Sequence, residues 1–168
     1  MKLSTLNALS QADFVQHLAG LFEHSPWIVQ HTWSARPFAS REALHTALLD
    51  TVRQADTAAQ LALICAHPDL AGKAAEQGQL TRESTQEQAS AGLHHCTPAE
   101  LAEIRELNRA YREKFGFPFI LAVKGRSKHE ILQIFRQRLN NPRSTEFDQA
   151  LQQIAHITRL RLHDLIEE

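Results

Sequence analysis

Cysteine is scarce: the 168 residues contain only Cys65 and Cys96, and neither belongs to a Cys-x-x-Cys pair. The chain therefore lacks the paired-thiol motifs of zinc ribbons and dithiol enzymes, and such sparse usage suits a reducing compartment. Excess charge of one sign is also missing. The formal net charge is -1, so no electrostatic footprint points to nucleic acid or an anionic membrane. No apolar run approaches the length of a transmembrane helix, and the start "MKLSTLNALSQADF" turns polar too early for a signal peptide. The ending "LHDLIEE" lacks a peroxisomal tripeptide. Walker loops and dinucleotide-binding glycine patterns are absent, and alternating strand-like runs are nearly so. A soluble cytoplasmic protein is the expectation, and its length suits one domain with a real core.

What the chain does have is helical periodicity. From Gln11 to His24, Phe14, Leu18, Leu21 and Phe22 share one side behind Ser10 as N-cap. A short helix follows Pro26 and ends near Pro37, a third begins after Ser40, and "TAAQLALICA" forms a compact apolar one. "TPAE" (97–100) combines an N-cap, proline at the first helical position and glutamate at N3; its helix should stop at Gly116. "SKHE" (127–130) is a second capping box, and a long helix should run from about Thr145 to Ile166. The pattern predicts an all-α fold, a single compact domain over 1–168 with about seven or eight helices. Two stretches resist it. "HPDLAGKAAEQGQL" is broken by Pro68, Gly72 and Gly78, and "GFPFILAVKG" is an apolar run between two glycines. An isolated strand-like segment leaves backbone N–H groups without sheet partners, and a ligand is one candidate to meet them.

Several residues could do chemistry. Pro68 disfavours helical geometry at His67, so this imidazole should lie at or just past a helix C-terminus, where the dipole favours the protonated ring. It could cap the helix or act as an acid. In "STQEQASAGL", Ser84, Glu87 and Gln88 fall at i, i+3 and i+4 and present polar groups to one patch. Ser84-x-x-Glu87 is itself a capping-box pattern, although "LTRE" offers Thr81 as an earlier cap. Arg161, among apolar neighbours on the last helix, could bind a carboxylate or carbonyl or form a structural ion pair, with Arg159 pointing elsewhere. Trp27 and Trp33 read as core or interface aromatics. Cys65 reads as a core residue of an apolar helix, and "HHC" (94–96) crowds its donors too closely for a zinc site, so no functional metal is expected.

Taken in order and spacing, "AHPDLAGK", "STQEQASAGL" and "LNRAYREKFGFPFILAVKGRS" resemble the OHCU decarboxylases. These are the 2-oxo-4-hydroxy-4-carboxy-5-ureidoimidazoline decarboxylases of the uric acid (ureide) pathway. The opening "LNALSQADFVQHLAGLFEHSPWI" is similar to the family's N-terminal helices, so the likeness spans most of the chain. The resemblance implies an all-helical homodimer, free of cofactor and metal, that converts this ureide substrate to (S)-allantoin and carbon dioxide. It implies that His67 is the proton donor, that Ser84, Glu87 and Gln88 line the substrate site, and that Pro68 borders the ligand. It further implies that Phe119, Ile120, Leu121, Ala122 and Val123 offer backbone groups to the ring, and that Arg161 completes the site. Losing carbon dioxide leaves electron density that spreads into the adjoining C=N system, after which a proton must reach one face. Glu87 would orient the C4 hydroxyl and steady the imidazole, with N–H groups of Ile120 to Ala122 on the ureide or ring carbonyls. A non-catalytic helical module for a small ureide or a protein, and a small metal-dependent hydrolase, stand as the competing classes.

Overall fold

The computed structural model describes the backbone of residues 1–168 and the side chains at 1–72 and 75–168. It is all-α: ten α-helices and two 3-10 helices, with no strand among the described residues and one isolated bridge between Lys2 and Glu167. Eight of the α-helices have seven residues or more. The two others, α1 (Leu3–Asn7) and α6 (Lys73–Glu76), have five and four residues, too few for an apolar period to show in sequence. The chain packs as two compact units, Met1–Ala66 with Ala155–Glu168, and His67–Ile154.

The first unit contains α1, α2 (Gln11–Leu18), α3 (Pro26–Thr32), α4 (Arg41–Gln54), α5 (Thr57–Cys65) and the C-terminal part of α10 (Arg143–Leu165). Side-chain caps open its helices: Ser10 accepts from the Asp13 N–H, Ser40 from Ala43 and Asp56 from Ala59. The helix expected to reach His24 ends at Leu18 and tightens into a 3-10 turn, Ala19–Leu21, centred on Gly20. Glycine there weakens the α-helix, yet Leu21 and Phe22 remain buried as the pattern requires. Phe14, Leu18, Ile28, Leu44 and Leu48 form the core, each with no exposed surface.

The second unit contains α6, α7 (Arg82–Ser90), α8 (Pro98–Phe115), α9 (Lys128–Arg138) and the N-terminal part of α10. Helix α8 opens on a complete capping box, Thr97 with Glu100, and stops at Gly116, whose φ of 78° is left-handed. Ser127 caps α9 by accepting from the Glu130 N–H, but the reciprocal carboxylate bond occurs only at Thr97 among the described residues. The core is aromatic. Tyr111 meets Phe115, Phe117, Phe119 and Phe135, and Phe119 stacks on Phe135 with ring centroids 3.8 Å apart.

Candidate active site

Helix α5 stops at Cys65, Ala66 caps it, and His67 follows in a buried position with 7% of its surface exposed. The residues after His67-Pro68 are fastened from two helices. Gln88 on α7 accepts the Ala71 N–H at 3.0 Å and donates to the Asp69 carbonyl at 3.5 Å. From α8, Asn108 donates to the Leu70 carbonyl at 3.0 Å and Arg112 pairs with Asp69 at 3.0 Å. The backbone is tight here. Ala71 takes a left-handed φ of 46°, and a Cβ at Gly72 would lie 2.8 Å from the Asp69 Cβ. The break after α5 is thus a rigid turn, and it fixes where the imidazole begins.

Helix α7 begins where the earlier of its two candidate caps places it. Thr81 accepts from the Ser84 N–H at 3.2 Å, which leaves Glu87 outside the capping box. Ser84 and Gln88, four residues apart, are buried on one face, and Glu87 is half-buried beside them. Both ends of the Gln88 amide are engaged with the backbone of residues 69–71.

Phe119–Val123 lies outside every helix, and each of its five residues is buried. The Ala122 N–H donates to Gln153 Oε1 at 3.0 Å. A side chain of α10 occupies it. Arg138 donates to the Ile120 carbonyl at 2.6 Å and Arg126 to the Ala122 carbonyl at 3.1 Å. Among the described residues, no hydrogen bond uses the N–H of Leu121 or Val123 as donor.

Arg161 belongs to the first unit. It is buried, donating to the Gly20 carbonyl at 3.0 Å and pairing with the buried Glu23 at 2.9 Å. Arg159 is exposed and pairs with Glu42, so the two arginines do face different surroundings. Cys65 corrects an expectation: it is exposed, because α5 buries Leu63 and Ile64 and turns the thiol outward. Cys96 donates to the Leu93 carbonyl, and burial pushes its thiol above the usual range. Among the described residues, no group of three or more His, Cys, Asp or Glu side chains is arranged to hold a metal ion. A cleft of about 370 Å³ in the second unit is lined by Ala71, Gln88, Leu93 and Cys96 among others, but by none of His67, Ser84, Glu87 or Phe119–Val123.

Three residues that hold the backbone of these segments carry no motif in the sequence: Asn108, Arg138 and Gln153. A signal existed. Gln153 interrupts the inward stripe of Ala150, Ile154 and Ile157, and Arg138 continues that of Ile131 and Phe135. A polar group on an apolar face has a buried partner to serve.

The family model described as OHCU decarboxylase matches residues 7–163. The 2-oxo-4-hydroxy-4-carboxy-5-ureidoimidazoline decarboxylase of Halalkalicoccus jeotgali is 44% identical over 164 residues, 96% of this chain and 91% of that protein. A crystal structure of (S)-allantoin synthase matches with a TM-score of 0.77 at 28% identity over 99% of this chain, which spans 54% of that longer one. A crystal structure of OHCU decarboxylase in the presence of (S)-allantoin matches with a TM-score of 0.68 at 27% identity, over 84% of this chain and 92% of that one. Matched over nearly its whole length, this chain belongs to the OHCU decarboxylase family.

Proposed function

We propose that this protein decarboxylates 2-oxo-4-hydroxy-4-carboxy-5-ureidoimidazoline to (S)-allantoin and carbon dioxide in uric acid degradation, with His67 as proton donor and Glu87 as orienting carboxylate. The observation that carries the roles is the fastened break after α5, where a buried histidine precedes a turn held by Gln88, Asn108 and Arg112. An acid that must protonate one face of a flat intermediate needs a fixed origin, and a hydrogen-bonded turn supplies it.

In the reaction, the bond from C4 to the carboxylate breaks, and its electron pair moves through the neighbouring ring carbon into the C=N group. The nitrogen that received the pair takes up one proton, the neighbouring carbon takes up a second, and the C4 hydroxyl gives up its own to become a carbonyl. The carboxylate form therefore consumes one proton net. His67 delivers the proton to carbon, which sets the stereocentre, while Glu87 accepts from the C4 hydroxyl and directs the collapse to the carbonyl. Ser84 and Pro68 border the ring, and the backbone of Phe119–Val123 supplies donors for its carbonyls. Arg161 is assigned to substrate binding from the resemblance, in preference to the exposed Arg159. The working form in this reading is a cytoplasmic homodimer without cofactor or metal.

The test supplies freshly generated substrate and follows carbon dioxide release against the spontaneous reaction. Acceleration that persists after chelator treatment is the expected result. A rate equal to that of buffer alone would sink the assignment, and activity abolished by chelators would point to the hydrolase class instead.

A further inference from the structure

The side-chain hydrogen bonds to Phe119–Val123 fall on alternate residues. Arg138 serves the Ile120 carbonyl, Gln153 the Ala122 N–H and Arg126 the Ala122 carbonyl. In extended backbone, the N–H and C=O of one residue point to the same side, and those of its neighbours point to the other. All three side chains therefore serve one edge of the segment. Leu121 and Val123 belong to the opposite edge, and the Val123 carbonyl closes the segment by accepting the Arg126 N–H at 3.0 Å. In a sheet, a neighbouring strand would occupy the served edge; here side chains from α9, α10 and the following turn do so.

We propose that Gln153 and Arg138 are positioning residues for the reaction, fixing the register of Phe119–Val123 so that the Leu121 and Val123 N–H groups, not those of Ile120 and Ala122, meet the substrate. The proposal rests on the decarboxylase reading above, in which this segment borders the ring. Two N–H groups separated by one residue suit a flat heterocycle with carbonyl oxygens along one side. A slip of one residue would turn the wrong pair outward, since backbone direction reverses at each step.

Arg138 is itself immobilised. Its Nε donates to Glu146 at 2.8 Å, and its guanidinium lies 4.4 Å from the centroid of the Phe119 ring. Glu146, with no exposed surface, also accepts from the Tyr111 hydroxyl at 2.6 Å and from Asn141 at 2.9 Å. Burial, followed by the bond to Glu146, holds the Tyr111 hydroxyl far above its ordinary pKa, so it remains a donor. The network runs from Tyr111 through Glu146 and Arg138 to the Ile120 carbonyl. Gln153 holds the same edge two residues on.

The experiment compares wild type with Gln153→Leu, which keeps the size and removes the acceptor, and Gln153→Glu, which keeps an acceptor oxygen. Three quantities are read: KM and kcat for fresh substrate, the melting temperature, and hydrogen exchange at the Ala122 amide. Gln153→Leu should raise KM about tenfold, the loss expected of misplaced hydrogen bonds, with a smaller change in kcat. It should also speed Ala122 exchange, and Gln153→Glu should restore most of both. Wild-type KM and unchanged Ala122 exchange in Gln153→Leu would overturn the proposal. So would equal impairment of both variants in step with a lowered melting temperature, since that is what a merely structural residue would give. Failure of the wild type to decarboxylate would sink the functional reading alone. Ala122 exchange would still judge Gln153, with acceleration in Gln153→Leu supporting its hold on the segment and no change overturning it.

Discussion

A histidine ahead of a proline at a helix end serves equally well as a cap or as an acid. His67 follows the C-cap Ala66 and is buried, and the turn beyond it is held by Gln88, Asn108 and Arg112. That fastening supports the proposed role of His67 as an acid with a fixed origin. Glu87 is the second residue to which the proposed chemistry gives a role. Thr81 does the capping of α7, so Glu87 is spared that duty. Glu87→Gln should lower kcat about a hundredfold, the low end of acid–base contributions, while the melting temperature stays near that of wild type. Steady-state kinetics with thermal denaturation checks this, and wild-type kcat in the variant would remove Glu87 from the mechanism. The places of these two residues were legible in the sequence because a proline and competing caps fix them by local rules, whereas their proposed roles came from the resemblance. The roles of Gln88 and Gln153 were not legible, because an amide bonding to distant backbone leaves no local pattern beyond a polar residue on an apolar face.

At the scale of elements, the helix starts were the most readable feature. Ser10, Ser40, Thr97 and Ser127 each cap where the sequence places them, since a cap and its N–H partner lie within three residues. The 3-10 turn after α2 and the one-turn helices α1 and α6 escaped, because pieces that short have no period to detect. The network in the second unit gives a stability prediction. Arg138→Leu leaves Glu146 buried without its cation and should cost about 3–5 kcal/mol, measured by denaturant unfolding. A loss under about 1 kcal/mol would show that the pair is not supporting α9 and α10.

The first unit gives a pH prediction at the same scale. His45 on α4 is buried and donates through Nε2 to the Ala155 carbonyl at 3.0 Å. Burial lowers its pKa below the ordinary 6.5; the Ala155 bond and Glu42 oppose that shift, and Arg159 and Arg53 add to it. As pH falls through 6.5 the unfolded chain binds the proton first, so this contribution is complete above that pH and fades towards the lower folded value. His45→Gln should therefore show a shallower loss of stability between about pH 7.5 and about pH 5.5 than wild type. Parallel slopes for the two proteins would contradict it.

For the whole molecule, the surface bears on assembly. Among the described residues, no large hydrophobic side chain is exposed. A homodimer would then rest on polar and half-buried groups rather than an apolar patch, and its affinity should fall as salt rises. Sedimentation across a range of protein concentrations, at low and high ionic strength, should show a dimer that loosens with salt. A monomer throughout would remove the homodimer from the reading. The all-α class was plain from helical period alone, whereas the division into two compact units had no marker in composition, since its second boundary falls within one uninterrupted helix, α10.

The central claim is that His67 gives one face of the decarboxylated ring its proton. The most direct measurement follows the circular dichroism of allantoin formed from fresh substrate by wild type and by His67→Ala at equal concentration. Wild type should form the (S) enantiomer rapidly, and His67→Ala should leave only the slow spontaneous reaction and a racemic product. Equal rates and equal racemic product from both proteins would contradict the account.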